Sequence, residues 1–224
     1  MTDTAHLSEI YKNRFSETGL EKRDAVWKVL CRDFFNPLIG DGKDIIDMAC
    51  GYGEFINNVR AKSKAAIDLN PDAPKHLSSN VKFYATAATD MAGVPANSAD
   101  VLFTSNFLEQ LPTKEHCNQV FDQVRRVLRP GGRFIILGPN IKYAYREYWD
   151  FYDHYLPLSH LSLEEGLKQS GFVVTKNVPQ FLPFTMKSRL PSADALVSLY
   201  LKLPFAWRFF GKQFLVVAEN PPSI

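Results

Sequence analysis

Cysteine is scarce in this sequence: only Cys31, Cys50 and Cys117 occur, far apart and with no CxxC pair. An odd, scattered set argues against a disulfide framework and a structural zinc site, and points to a reducing, cytoplasmic setting. Charge imbalance is lacking too. The formal net charge is +2, with no run of five like charges, which gives no reason to expect a nucleic-acid partner. No apolar stretch is long enough to span a membrane. The first seven residues carry Asp and His and no apolar run, so a signal peptide is not expected.

What the sequence does have is alternation. Val26, Val29, Leu30 and Phe34 recur at helical spacing, predicting a helix over Leu20–Phe35 that Asn36-Pro37 ends. Short apolar runs then predict strands at Asp44–Ala49, Ala65–Leu69, Val81–Ala85, Ala99–Ser105 and Arg133–Leu137. Helices are expected at Glu54–Ala61 and Lys114–Leu128, the latter broken by Pro130-Gly131-Gly132. Further on come a helix over Ser162–Gln169 with a Ser162/Glu165 capping box, strands at Phe172–Val178 and Gln213–Ala218, and a helix over Ala193–Leu203. Alternating strands and helices imply right-handed crossovers and an α/β fold: a doubly wound, mostly parallel sheet of seven strands. The organisation expected is one domain with an N-terminal helical cap (1–40), a ligand-binding core (41–140), a lid (141–161) and an insertion (179–212).

The first strand delivers the chain to Asp47-Met48-Ala49-Cys50-Gly51-Tyr52-Gly53 just before a helix. In a doubly wound sheet ligands sit outside the carboxyl ends of the strands. Glycine turns let the backbone come close, and N–H groups at a helix start favour a carboxylate or phosphate. The dinucleotide pattern G-x-G-x-x-G fails, because Ile56 stands at its sixth position, and no P-loop is present. An acid at the strand end suits a ligand with an ammonium group and no phosphates. Cys50 reads as a packing residue.

At these residues the chain resembles the class I methyltransferases that use S-adenosylmethionine. Asp47-x-Ala49-Cys50-Gly51-x-Gly53 looks like that family's first motif, with Ala49 where glycine is commonest. Asp68, before Leu69 at the end of the second strand, matches its ribose-binding acid. NFLEQL, starting at Asn106, looks like its segment after strand four, and LRPGGRF like its turn before strand five. The resemblance implies S-adenosylmethionine as cofactor, with Asp47, Ala49, Gly51, Gly53, Asp68, Leu69 and Asn106 around it. For adenine it offers Asp90, or backbone groups near Ala88. Tyr11, Arg14 and Phe15 would fold over the cofactor.

The acceptor side is expected after strand five, in an aromatic stretch with polar tips: Asn140, Tyr143, Tyr148, Trp149 and His160 as small-molecule contacts. His154 beside Asp153 offers a general base; the alternative is a lid that simply packs. Asp150, Asp153, His154 and His160 make a poor metal set, because two ligands would be adjacent residues, so no metal is expected. Segment 181–210 mixes apolar residues with Lys187, Arg189, Lys202 and Arg208, which suits a membrane surface, a substrate lid or a contact in a homodimer. The activity implied is methyl transfer to a small molecule, at a hydroxyl of a sugar or secondary metabolite. Competing readings are other chemistry on the same cofactor, a non-catalytic cofactor-binding subunit, and an oxidoreductase.

Overall fold

A computed structural model describes residues 17–184 and 194–222. Tyr11, Arg14, Phe15, Lys187 and Arg189 lie outside the described residues. Seven strands form one sheet: β1 (Asp44–Met48), β2 (Ser63–Ile67), β3 (Val81–Tyr84), β4 (Ala99–Ser105), β5 (Leu128–Pro139), β6 (Val173–Val178) and β7 (Gln213–Glu219). Their order is β3-β2-β1-β4-β5-β7-β6. β7 runs antiparallel between β5 and β6, and the other neighbours pair in parallel. The expected doubly wound, mostly parallel sheet is therefore present.

Helices cover both faces, which is why the central strands read as apolar runs. On one face α1 (Glu17–Leu30) and α2 (Glu54–Asn58) bury an aromatic cluster. Phe55 stacks on Phe103 of β4 at 3.7 Å, and Trp27 and Phe35 meet them edge-on. Each such ring pair adds about 1 kcal/mol beyond area burial. On the other face α3 (Lys114–Val127) presents Val120, Phe121, Val124 and Val127, all buried, and α4 (His160–Gln169) adds Leu163 and Leu167.

Several boundaries differ from the sequence expectation. The first helix does not end at Asn36-Pro37. Its register widens to a π-helical turn over Cys31–Phe35, Asn36 donates to the Cys31 carbonyl, and helix resumes over Asn36–Ile39. Pro37 then opens a fresh turn, where its missing N–H has no role. The Pro130-Gly131-Gly132 break lies inside β5 as an irregularity in register against β4, with Gly131 at φ +76°. α4 starts earlier than expected: Ser159, not Ser162, is its N-cap, and Ser162 supplies the reciprocal bond that Glu165 was expected to give. Two helices rather than one precede β7, α5 (Asp194–Lys202) and α6 (Pro204–Phe210). Pro204, a stop for the first, occupies the opening turn of the second.

Candidate functional site

The carboxyl ends of β1, β2 and β4 meet at the middle of the sheet. Asp47 is only 3% exposed and faces the start of α2, where it accepts the Ile56 backbone N–H. After β1 the chain turns sharply: Ala49 (φ +55°), Gly51 (φ +55°) and Gly53 (φ +78°) all adopt the left-handed conformation. For Ala49 this costs about 1–2 kcal/mol, a physical reason for glycine to be preferred there. Gly53 is also crowded. A Cβ there would sit 2.4 Å from Leu77 Cδ2. Gly53→Ala is accordingly expected to lose about 1–2 kcal/mol of stability, read as a lower Tm; an unchanged Tm would show that the turn relaxes freely.

Asp68 follows β2 and is also buried. Its two oxygens accept the Gly51 N–H and the Asn70 N–H, each at 2.7 Å. The carboxylate thus ties the glycine turn of one strand to the end of the next. Within the turn itself, Gly51 gives its N–H to Asp68, and Gly53 gives its own to the Cys50 carbonyl at 2.9 Å. The Leu69 N–H also points to this carboxylate, whose remaining acceptor capacity faces the end of the sheet. Below them Thr104, fully buried on β4, donates to the Met48 carbonyl at 2.8 Å and locks β1 to β4. Asn106 closes β4 with φ +51°, its N–H on the Leu137 carbonyl and its carbonyl accepting from Gln110.

The electrostatics select the ligand. Burial pushes the Asp47 carboxyl well above its ordinary value of 3.8, and the nearby Glu54 and Asp68 push it further. Burial raises Asp68 too, against the stabilising backbone N–H groups of Asn70, Gly51 and Leu69. Two carboxyls at adjacent strand ends are chemically suited to an ammonium group and a pair of ribose hydroxyls. The residues present therefore suit S-adenosylmethionine. Half-buried Leu69 lies beside Asp68. Asp90, by contrast, is exposed on a turn, its carboxylate accepting the Ala92 N–H, while Ala88 is buried.

The expected acceptor residues follow β5. Asn140 is fully buried, and its amide is spent on His160 Nδ1 (2.9 Å), the Pro179 carbonyl (2.8 Å) and the Lys142 N–H. It braces the base of the lid. His160 stacks on Tyr143, and burial lowers its pKa, keeping it neutral at pH 7. Tyr148 is fully buried with its hydroxyl lacking any hydrogen-bond partner, and burial, with Glu109 nearby, keeps that phenol protonated. His154 is buried among rings, 4.7 Å from Tyr148 and 4.8 Å from Phe151 between centroids. Trp149 is 61% exposed and meets the Tyr148 ring edge-on at 5.0 Å, whereas Asp153 is half-buried. Among the described residues no group of three or more His, Cys, Asp or Glu is placed to hold a metal ion.

Glu109 was not anticipated as a site residue. It is buried in the short helical turn after β4, and its carbonyl accepts the N–H groups of Tyr155 and Leu156, fastening the lid to the sheet. The signal was an acid set between Leu108 and Leu111 within the NFLEQL segment. Cys50 is buried and its thiol is pushed far up by burial, which suits packing rather than nucleophilic chemistry.

Comparison with known proteins agrees with this geometry. A family model described as a methyltransferase domain matches residues 20–177. A SAM-dependent methyltransferase from Archaeoglobus fulgidus superposes with a TM-score of 0.64 at 17% identity, covering 88% of this chain and 94% of that one. A putative methyltransferase from Bacillus halodurans gives 0.62 at 15% identity, covering 88% and 99%. A putative sarcosine dimethylglycine methyltransferase from Galdieria sulphuraria gives 0.59 at 15% identity, covering 88% and 85%. Among curated proteins, chondramide synthase of Chondromyces crocatus is 25% identical over 105 residues, 42% of this chain. The match spans about 3% of that synthase's length.

Proposed function

The chain belongs to the class I S-adenosylmethionine-dependent methyltransferases and is an enzyme, so we propose that it methylates a small molecule at a hydroxyl, as found in sugars and secondary metabolites. The observation that carries the proposal is the pair of buried carboxylates, Asp47 and Asp68, on adjacent strand ends around a left-handed turn. Asp47 would face the cofactor's ammonium group, Asp68 its ribose hydroxyls, and Ala49, Gly51, Gly53, Leu69 and Asn106 would line the crevice. S-adenosylmethionine supplies, when bound, an electrophilic methyl group on a sulfonium.

The chain's own work is to position the acceptor, exclude water and take up a proton. The lid supplies the means. Tyr148, held as a protonated phenol, can donate to the acceptor oxygen. His154, buried beside it, would receive the hydroxyl proton, with Asp153 next in the chain as its partner. Tyr143, Trp149 and His160 would flank the approach, with Asn140 bracing His160 and the Pro179 carbonyl at its base. For adenine we favour backbone groups near Ala88 over Asp90, because the Asp90 carboxylate serves its own turn. The buried, unpaired cysteines accord with action in the cytoplasm.

Asp68→Ala removes two acceptor oxygens and releases Gly51. It is expected to weaken S-adenosylmethionine binding by about 1–3 kcal/mol, roughly tenfold to a hundredfold, in calorimetric titration. Unchanged affinity would take Asp68 out of the site.

A further inference from the structure

We infer that the α5–α6 hairpin is a docking surface for an anionic lipid bilayer. Leu196 and Leu199 on α5 and Phe205, Phe209 and Phe210 on α6 are each about half or more exposed, Phe209 reaching 79%. Five large apolar side chains on one hairpin form a ridge of the kind seldom left to water on a monomer. The ridge is rigidly held from beneath. Tyr200 donates to the Phe181 carbonyl at 2.6 Å, and Trp207 Nε1 donates to the Tyr200 carbonyl at 2.9 Å. Trp207 also packs its ring against Phe181 and Phe34. With Leu201, Tyr200 and Trp207 turned inward, the phenylalanines of α6 face outward for a reason other than core packing. Phe205 and Phe209 are one helical turn apart and share a face.

Charge selects the occupant. Among the described residues, charged groups on or next to α5 and α6 include Lys28, Arg32, Lys176, Lys202 and Arg208 and, of opposite sign, Asp24, Asp33 and Asp194. Asp24 is paired with Lys28 at 2.8 Å and Asp33 with Arg32 at 2.6 Å; Asp33 also accepts from Ser198 and lies in the field of Lys202. Asp194 lies in the field of the same two cations. Lys176 sits over the Phe34 ring, and Lys202 and Arg208 are exposed between the apolar side chains. A two-fold contact between copies would bring these cations face to face. A bilayer with anionic headgroups accepts both features: rings enter the acyl boundary while Lys202 and Arg208 meet phosphates. No helix among the described residues is long and apolar enough to cross a membrane, so the contact is peripheral.

The test is vesicle co-sedimentation of the full chain, using phosphatidylcholine alone and an equimolar mixture with phosphatidylglycerol. Binding to the mixed vesicles should exceed binding to neutral ones by roughly tenfold or more, and should weaken as salt is raised. The F205S/F209S/F210S variant should lose at least tenfold in vesicle affinity, and K202E/R208E should lose the preference for anionic lipid. F205S/F209S/F210S should keep the parent Tm, since those rings are exposed, and both variants should keep the parent S-adenosylmethionine affinity. Equal binding to both vesicle types, or none to either, overturns the inference. So does a parent dimer in analytical ultracentrifugation that F205S/F209S/F210S converts to monomer, which would make the ridge a contact between copies.

Discussion

Asp47→Asn should weaken S-adenosylmethionine binding by about 3 kcal/mol or more, over a hundredfold, while raising the Tm of the ligand-free enzyme. The two effects have one cause. Asp47 is a buried carboxyl beside Glu54 and Asp68, both acidic, and its pKa stands well above 3.8 through burial first and these neighbours second. Asparagine keeps the shape and can still accept the Ile56 N–H, but removes the charge. Relief of that charge is expected to add about 0.5–2 kcal/mol of stability, the range typical when a strained functional residue is neutralised. The pH dependence follows in sign. A carboxyl raised in the folded state contributes stability below its unfolded value of 3.8 that is lost as pH rises through the raised value. Over that same window the ligand-free enzyme should soften and cofactor affinity should increase. Asp47→Asn should flatten both trends. Parallel melting and calorimetry across pH would check this, and an Asp47→Asn variant with unchanged affinity would remove Asp47 from the ammonium site.

His154→Phe should lower turnover about 100-fold or more if the imidazole takes the acceptor proton. Phenylalanine is the informative replacement because His154 is packed between the rings of Tyr148 and Phe151. The ring keeps an aromatic in that packing while removing the nitrogens, so cofactor affinity should hold while turnover falls. Steady-state rates with a saturating hydroxyl acceptor would read the loss in kcat. Near-normal turnover would make His154 a packing element of the lid.

The central strands were legible in the sequence for a physical reason. Buried on both faces, they must be apolar throughout, and Ile45, Ile46, Val101, Leu102 and Ile135 are all buried. Asp47, Gly51 and Gly53 stood out as an acid and a glycine turn at a strand end, and Asp68 through the family resemblance; the structure joins Gly51 to Asp68 by a hydrogen bond. Misread positions were those where two local rules compete. Ser159 and Ser162 can each cap a helix, and Ser162-x-x-Glu165 matches the capping pattern; the structure chooses Ser159 because Ser162 can return the bond. Pro204 both ends and begins a helix, so one helix was read where two stand. Gly131-Gly132 read as a turn but serves as an irregularity within β5. Glu109 escaped notice because its role depends on Tyr155 and Leu156, more than forty residues later in the chain. No periodicity encodes such a tertiary contact.

A crystal structure with S-adenosylhomocysteine bound is the most direct measurement. The account predicts its amino group against Asp47 and its ribose hydroxyls on Asp68, with the vacated methyl position facing Tyr148 and His154. A nucleoside seated elsewhere, or a crevice that takes a pyrophosphate-bearing dinucleotide in preference, would contradict it.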